Sequence, residues 1–226
     1  MKKSSLKIVG VMAFAMVVIL FMQSYPNSKT NEKENKTMKS ALIVVDVQND
    51  FCPGGTLAVP KGDEVVPIIN DLMETTLKSQ IDLVVFSRDY HPADCDHFKK
   101  WPPHCIQNTK GAGFHAGLRF PKGSVVISKG MDIHDDAYSA FEGCTDAGVS
   151  LEEGLKDSKI ERLFVVGLAT DYCVRSTVLD ALSKGFEVVV VIDACRAVNL
   201  SAGDGPNAIM EMLDAGASIV HISALN

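Results

Sequence analysis

The chain is poor in aromatic residues, which make up 7% of its 226 positions and include a single tryptophan, Trp101. Beyond Met38 it has no extended run of Lys and Arg, so it offers no cationic stripe to replace the counterions of a phosphate backbone, which excludes nucleic acid as a partner. It has no uncharged apolar stretch of the roughly 20 residues that a spanning helix wants. The longest such stretch, residues 8–22, has fifteen. No internal repeat appears, and no cysteine precedes Cys52, which argues against acylation near the start of the chain. What is present is ordinary for a globular chain: 46% hydrophobic, 22% charged, nine Pro and seventeen Gly.

Charge is unevenly distributed. Residues 1–37 carry six Lys and two Glu, a balance of +4, which leaves −10 on residues 38–226 within the total of −6. The leader runs Lys2, Lys3, Lys7, then the apolar stretch, then Gln23-Ser24-Tyr25-Pro26, the positive, apolar, polar order of a secretory signal. No clean small-x-small cleavage site follows, so a signal peptide and a retained membrane anchor over 1–25 both stay open. With the lysines held inside, either one puts the body outside the cytoplasm. A start at Met38 is the competing reading and would leave the chain cytoplasmic. Residues 26–39 are polar and aperiodic, a flexible linker, and 40–226 form the folded domain.

From Ala41 onward, short continuous apolar runs alternate with amphipathic ones. Residues 41–47, 81–86, 124–127, 163–167, 187–192 and 218–221 are rich in Val and Ile, as strands buried on both faces are. Val65, Ile68, Ile69, Leu72 and Leu77 recur at helical spacing, as do Val174, Val178 and Leu182, with Lys184 and Gly185 closing the second helix. The alternation predicts one α/β domain with a parallel sheet covered by helices on both sides.

In such a sheet the chemistry sits outside the carboxyl ends of the strands. The first strand ends at Asp46, whose carboxylate needs a partner there, either as a structural acceptor or as a catalytic acid/base. The second runs into Ser87-Arg88-Asp89-Tyr90-His91, followed by His97 and His104. Asp89 and His91, two apart, point to the same side of an extended chain. One carboxylate and three imidazoles make a shell for Zn, Mn or Fe, set against a chance cluster of surface histidines. His115, His134 and His221 lack that company and read as structural or surface groups. The third strand ends at Lys129, and the fourth leads to Cys173 at the start of a helix through Leu182. There the helix dipole and backbone N–H groups stabilise a thiolate and can hold an oxyanion, whereas the competing reading is an inert buried thiol. Gathered in one site, Lys129 favours ionisation of Asp46 and Cys173 and the three form a triad.

Six segments in order carry a more specific signal: DVQNDFCPGGTLAV from Asp46, SRDYHP from Ser87, WPPHC from Trp101, SKG from Ser128, AYSAFEG from Ala137 and GLATDYCVR from Gly167. In these the chain resembles the nicotinamidase/pyrazinamidase branch of the isochorismatase-like cysteine hydrolases, over about residues 40–225. The resemblance implies a three-layer α/β fold, Rossmann-like, with a six-stranded parallel sheet, and an Asp46, Lys129, Cys173 triad. It also implies one divalent metal ion, zinc or else iron or manganese, held by Asp89, His91, His97 and His104 with waters completing the shell. Phe51 and Trp101 then flank a pyridine ring whose nitrogen meets the metal, and Tyr172 and Ala169 also face the substrate. The peptide before Ala169 is cis, and the backbone N–H groups of Ala169 and Cys173 form the oxyanion site. The activity implied is hydrolysis of nicotinamide to nicotinate and ammonia through a thioester, in NAD salvage, with pyrazinamide as a further substrate. A ureidoacrylate-type amidohydrolase of the same fold, or a non-catalytic binding or thiol-redox protein outside the cytoplasm, are the alternatives. Six cysteines in an exported chain would suggest disulfides, Cys95 with Cys105 for example, though spacing alone does not fix a pairing.

Overall fold

The structure, a computed structural model, describes residues 38–225. The leader over 1–25 and the linker up to Thr37 lie outside the described residues. Among the described residues no helix is long and apolar enough to cross a membrane.

Six strands form one sheet: β1 (Ser40–Val45), β2 (Leu83–Asp89), β3 (Val125–Lys129), β4 (Arg162–Leu168), β5 (Glu187–Arg196) and β6 (Ser218–Val220). Their order is β3-β2-β1-β4-β5-β6 and every pairing is parallel. The helices are α1 (Val65–Asp71), which continues into a π turn at Leu72–Thr76, α2 (Leu151–Asp157), α3 (Arg175–Ser183) and α4 (Asp204–Asp214).

Alternation along the central strands decides which core each side chain joins. In β1, Leu42 and Val44 pack with Val65, Ile69 and Leu72 on the α1 side. Ala41, Ile43 and Val45 pack with Leu151, Leu155, Val178 and Met212 from α2, α3 and α4 on the other side. With both faces covered, β1 is buried along its whole length, which is why it reads as an unbroken apolar run.

The six apolar runs correspond to the six strands, with informative differences at the ends. β2 and β3 extend past their apolar runs to Asp89 and Lys129, which pair with each other in register, so polar residues continue the strands where they face one another. β5 runs on to Arg196 through an irregularity in its pairing with β4. α2 is short and is started by a capping box in which Ser150 and Glu153 satisfy each other's backbone N–H groups.

Chain order reverses at the sheet centre, because β1 leads outward to β2 and β3 while β4 leads to β5 and β6 on the other side. A crevice at the carboxyl ends of β1 and β4 is the expected ligand site in such a topology. The connection from β2 to β3 contains only a 3-10 turn at Asp96–Lys99, and its irregular course carries His91, His97, Trp101 and His104.

Candidate active site

Four strand ends deliver four polar side chains to one place. Asp46 follows β1, Asp89 ends β2, Lys129 ends β3, and Cys173 lies in the π turn Thr170–Val174 that links β4 to α3. All four are buried. Asp46 adopts a left-handed backbone (φ 49°) just past its strand, and its Oδ1 accepts a hydrogen bond of 2.6 Å from the Ser87 hydroxyl. The Lys129 ammonium lies 2.9 Å from Asp46 Oδ2, donates to Asp89 Oδ1 and to the Ala137 carbonyl (3.0 Å), and reaches Cys173 Sγ at 3.6 Å. One carboxylate oxygen each of Asp46 and Asp89 and the Cys173 sulfur lie within 4.8 Å of one another.

The electrostatics follow from burial and pairing. Burial raises the Asp46 carboxyl above its ordinary value although Lys129 pulls the other way. Burial also pushes the Cys173 thiol well up, again opposed by Lys129. Burial alone would lower Lys129, but Asp46 and Asp89 together hold it well above its ordinary value. For Asp89 burial is outweighed by Lys129 and by contacts from His104 and His91, which keep it well below the usual carboxylate range. Burial thus raises the proton affinity of both the Asp46 carboxyl and the Cys173 thiol, and the Lys129 ammonium opposes it at each.

The other wall is built of imidazoles. One ring nitrogen of each of His91, His97 and His104 lies within 4.8 Å of those of the other two. Each histidine is turned by its Nδ1: His91 toward the Gly130 carbonyl (3.0 Å), His104 toward the Pro102 carbonyl (2.7 Å) and His97 toward Asp136 Oδ1 (2.9 Å). The opposite nitrogens are left to converge. Asp89 Oδ2 lies 3.8 Å from Nε2 of His91 and from Nε2 of His104, so Asp89 faces the triad with one oxygen and the imidazoles with the other. His91 Nε2 is buried without a hydrogen-bond partner, an orphan atom that a metal ion would satisfy. Burial lowers the His97 value, favouring the neutral ring that ligation needs. The residues present thus fit a divalent ion. Gly130 is required where it stands, since its φ is +65° and a Cβ there would come within 2.3 Å of the His91 ring.

Between the two walls lies a pocket. Phe51, Trp101, Ala169, Tyr172 and Cys173 line it, together with Asp89, His97 and His104. Trp101 and Tyr172 meet edge to face with centroids 5.0 Å apart. The peptide between Leu168 and Ala169 is cis. Of the histidines set aside, His134 and His221 are exposed and pair with surface carboxylates Asp96 and Asp193. All six cysteines are free, so the Cys95–Cys105 pairing is not formed.

Several contributors escaped the sequence reading. Tyr138 lines the pocket and accepts a hydrogen bond from Trp101 Nε1 at 3.1 Å. Gln48, fully buried, holds the end of β2 by donating to the Asp89 carbonyl and accepting from its N–H, both at 2.8 Å. Ser87, Gln48 and Tyr138 all stand inside the six quoted segments, which was the available signal. Asp136 stands just before one of them.

The isochorismatase domain model matches residues 40–223. The nicotinamidase of Escherichia coli is 42% identical over 199 residues, covering 79% of this chain and 93% of its own. Among solved structures, the pyrazinamidase of Pyrococcus horikoshii in complex with zinc superposes with a TM-score of 0.73 at 41% identity, covering 81% of this chain and 99% of that one. PnC1 from L. infantum in complex with nicotinate gives a TM-score of 0.74 at 36% identity, covering 83% and 95%. With its fold, its strand-end residues and its sequence all in agreement over the described domain, the chain belongs to the isochorismatase family.

Proposed function

We propose that this protein is a metal-dependent cysteine amidohydrolase that converts nicotinamide to nicotinate and ammonia in NAD salvage, and that also accepts pyrazinamide. The observation that carries the reading is the Lys129 ammonium in contact with Asp46 and Cys173 at the base of a pocket whose facing wall is an Asp and three His. The printed activities of the relatives, and the zinc and nicotinate in two related structures, support it.

The chain's own residues account for the chemistry. Phe51, Trp101 and Tyr172 sandwich the flat ring and direct the carboxamide toward Cys173. Asp46 takes the thiol proton of Cys173 as the sulfur bonds to the carboxamide carbon, and the oxygen takes up the negative charge against the backbone N–H groups of Ala169 and Cys173. Lys129 holds Asp46 ionised beforehand. Asp46 then returns the proton to the leaving nitrogen, the C–N bond breaks, and ammonia departs from the thioester. A water enters, gives a proton to Asp46, and adds to the thioester carbon. Collapse breaks the C–S bond, Asp46 returns its proton to the Cys173 sulfur, and the carboxyl product gives its proton to solvent and leaves as nicotinate. Asp89, His91, His97 and His104 would hold the ion, which we read as zinc from its N/O donor set. When bound it supplies a positive charge and open positions for a ring nitrogen or a water.

Export of the chain by residues 1–25 belongs to the same proposal, and it predicts activity outside the cytoplasm in fractionated cells. The function is tested by ammonia release from nicotinamide, with and without a chelator. Release that chelator abolishes and zinc restores is expected. No release from nicotinamide or pyrazinamide, with turnover of a ureido compound instead, would overturn the assignment.

A further inference from the structure

We infer that Asp136 is a positioning residue for the metal site, setting the orientation and tautomer of His97 from outside the ligand shell. The inference rests on the reading of Asp89 and the three histidines as ligands.

The three imidazoles are oriented by unequal means. His91 and His104 each face a main-chain carbonyl. His97 alone faces a side chain, Asp136 Oδ1 at 2.9 Å. A carboxylate there requires the proton on Nδ1 of a neutral His97, which leaves the Nε2 lone pair free to point inward. It also raises the electron-donating power of the ring. The second oxygen of Asp136 accepts from the Lys100 ammonium, so one carboxylate grips His97 within the turn and Lys100 just after it.

The location makes this more than a local tie. The Asp96–Lys99 turn carries His97, whose carbonyl accepts from the Trp101 N–H at 3.1 Å, and the Asp96 N–H donates to the Ile133 carbonyl at 2.8 Å. Asp136 anchors that turn to the segment where the Ala137 carbonyl accepts from Lys129 and the Tyr138 hydroxyl accepts from Trp101. His97 is thus the one of the three whose outer nitrogen is held by a side chain and not by a main-chain carbonyl. Asp136 is itself 42% exposed at the side chain, so truncating it removes the hydrogen bond without opening a core cavity.

The test is zinc affinity of the full chain, by competition with a chromophoric chelator, for the wild type, Asp136→Ala, Asp136→Asn and His104→Ala, beside thermal unfolding of each metal-free form. Asp136→Ala is expected to weaken zinc binding about 10–100-fold, the usual effect of removing an outer partner of a ligating histidine. Asp136→Asn keeps an acceptor oxygen for Nδ1–H and should recover part of the loss, while the metal-free melting temperatures stay unchanged. Wild-type affinity in Asp136→Ala would overturn the inference, as would a fall in its metal-free melting temperature that accounts for the loss. If His104→Ala also binds zinc like the wild type, the ligand assignment itself fails, and with it the premise.

Discussion

The two walls of the pocket are built from the same kinds of buried polar group and end in opposite states. On the triad side the protein supplies its own counter-charge, with Lys129 against Asp46, Asp89 and Cys173. On the histidine side the outer nitrogens are engaged but His91 Nε2 has no hydrogen-bond partner. One wall is electrostatically closed by folding, and the other is completed from outside. Asp89, with one oxygen turned to each, belongs to both. On the proposed reading, the difference gives proton transfer to Asp46 and Cys173 and metal binding to the histidines, so that the two can be removed separately.

Cys173→Ala separates them most sharply. Loss of the nucleophile from a triad that acts as a unit should lower kcat on the order of 10⁶-fold while bound metal is retained. Metal analysis and ammonia release on one sample check this, and loss of metal together with activity would merge the walls the account keeps apart. Lys129→Met breaks the closed wall itself. It leaves two buried carboxylates without their cation, so a loss of about 3–5 kcal/mol in unfolding free energy is expected from denaturant titration. A change below about 1 kcal/mol would show that Lys129 is not what compensates them. His104→Ala attacks the open wall, and should lose more zinc affinity than the roughly 10–100-fold set by an outer partner, with a smaller effect on unfolding of the metal-free protein than Lys129→Met. The smallest effect is on pH dependence. Asp46 must be ionised to accept the thiol proton, so the rate falls as pH drops through its pKa. Burial raises that value, which places the acid limb of kcat/KM above the ordinary carboxylate range. An acid limb at or below that range would detach Asp46 from the base role.

Much of this was legible because the two signals are of different kinds. Strands buried on both faces must be apolar throughout, so β1 and β4 announce themselves as runs of Val, Ile and Leu. The site residues stand where those runs stop, and Asp46, Lys129 and Cys173 are recognisable by that position. Asp89 and the three histidines are close in sequence as well as in space. The register that sets Asp89 opposite Lys129 was not legible, because it is fixed by the pairing of β2 with β3 and not by the pattern of either strand. Asp136 was hidden for a related reason. Its partner His97 lies across the β2–β3 connection and β3, and a contact between two irregular segments leaves no period in either. α2 and α4 were missed because their buried residues are few, Leu151 and Leu155 in one, Gly205, Ala208 and Met212 in the other.

The central claim is that Cys173 becomes acylated by the substrate's carbonyl while the histidine wall takes no covalent part. Its most direct measurement is mass spectrometry of the metal-loaded protein quenched during turnover of nicotinamide. The account predicts a pyridine-carbonyl adduct on the peptide containing Cys173, absent from Cys173→Ala. Ammonia release at the wild-type rate by Cys173→Ala, with no adduct on any cysteine, would contradict it.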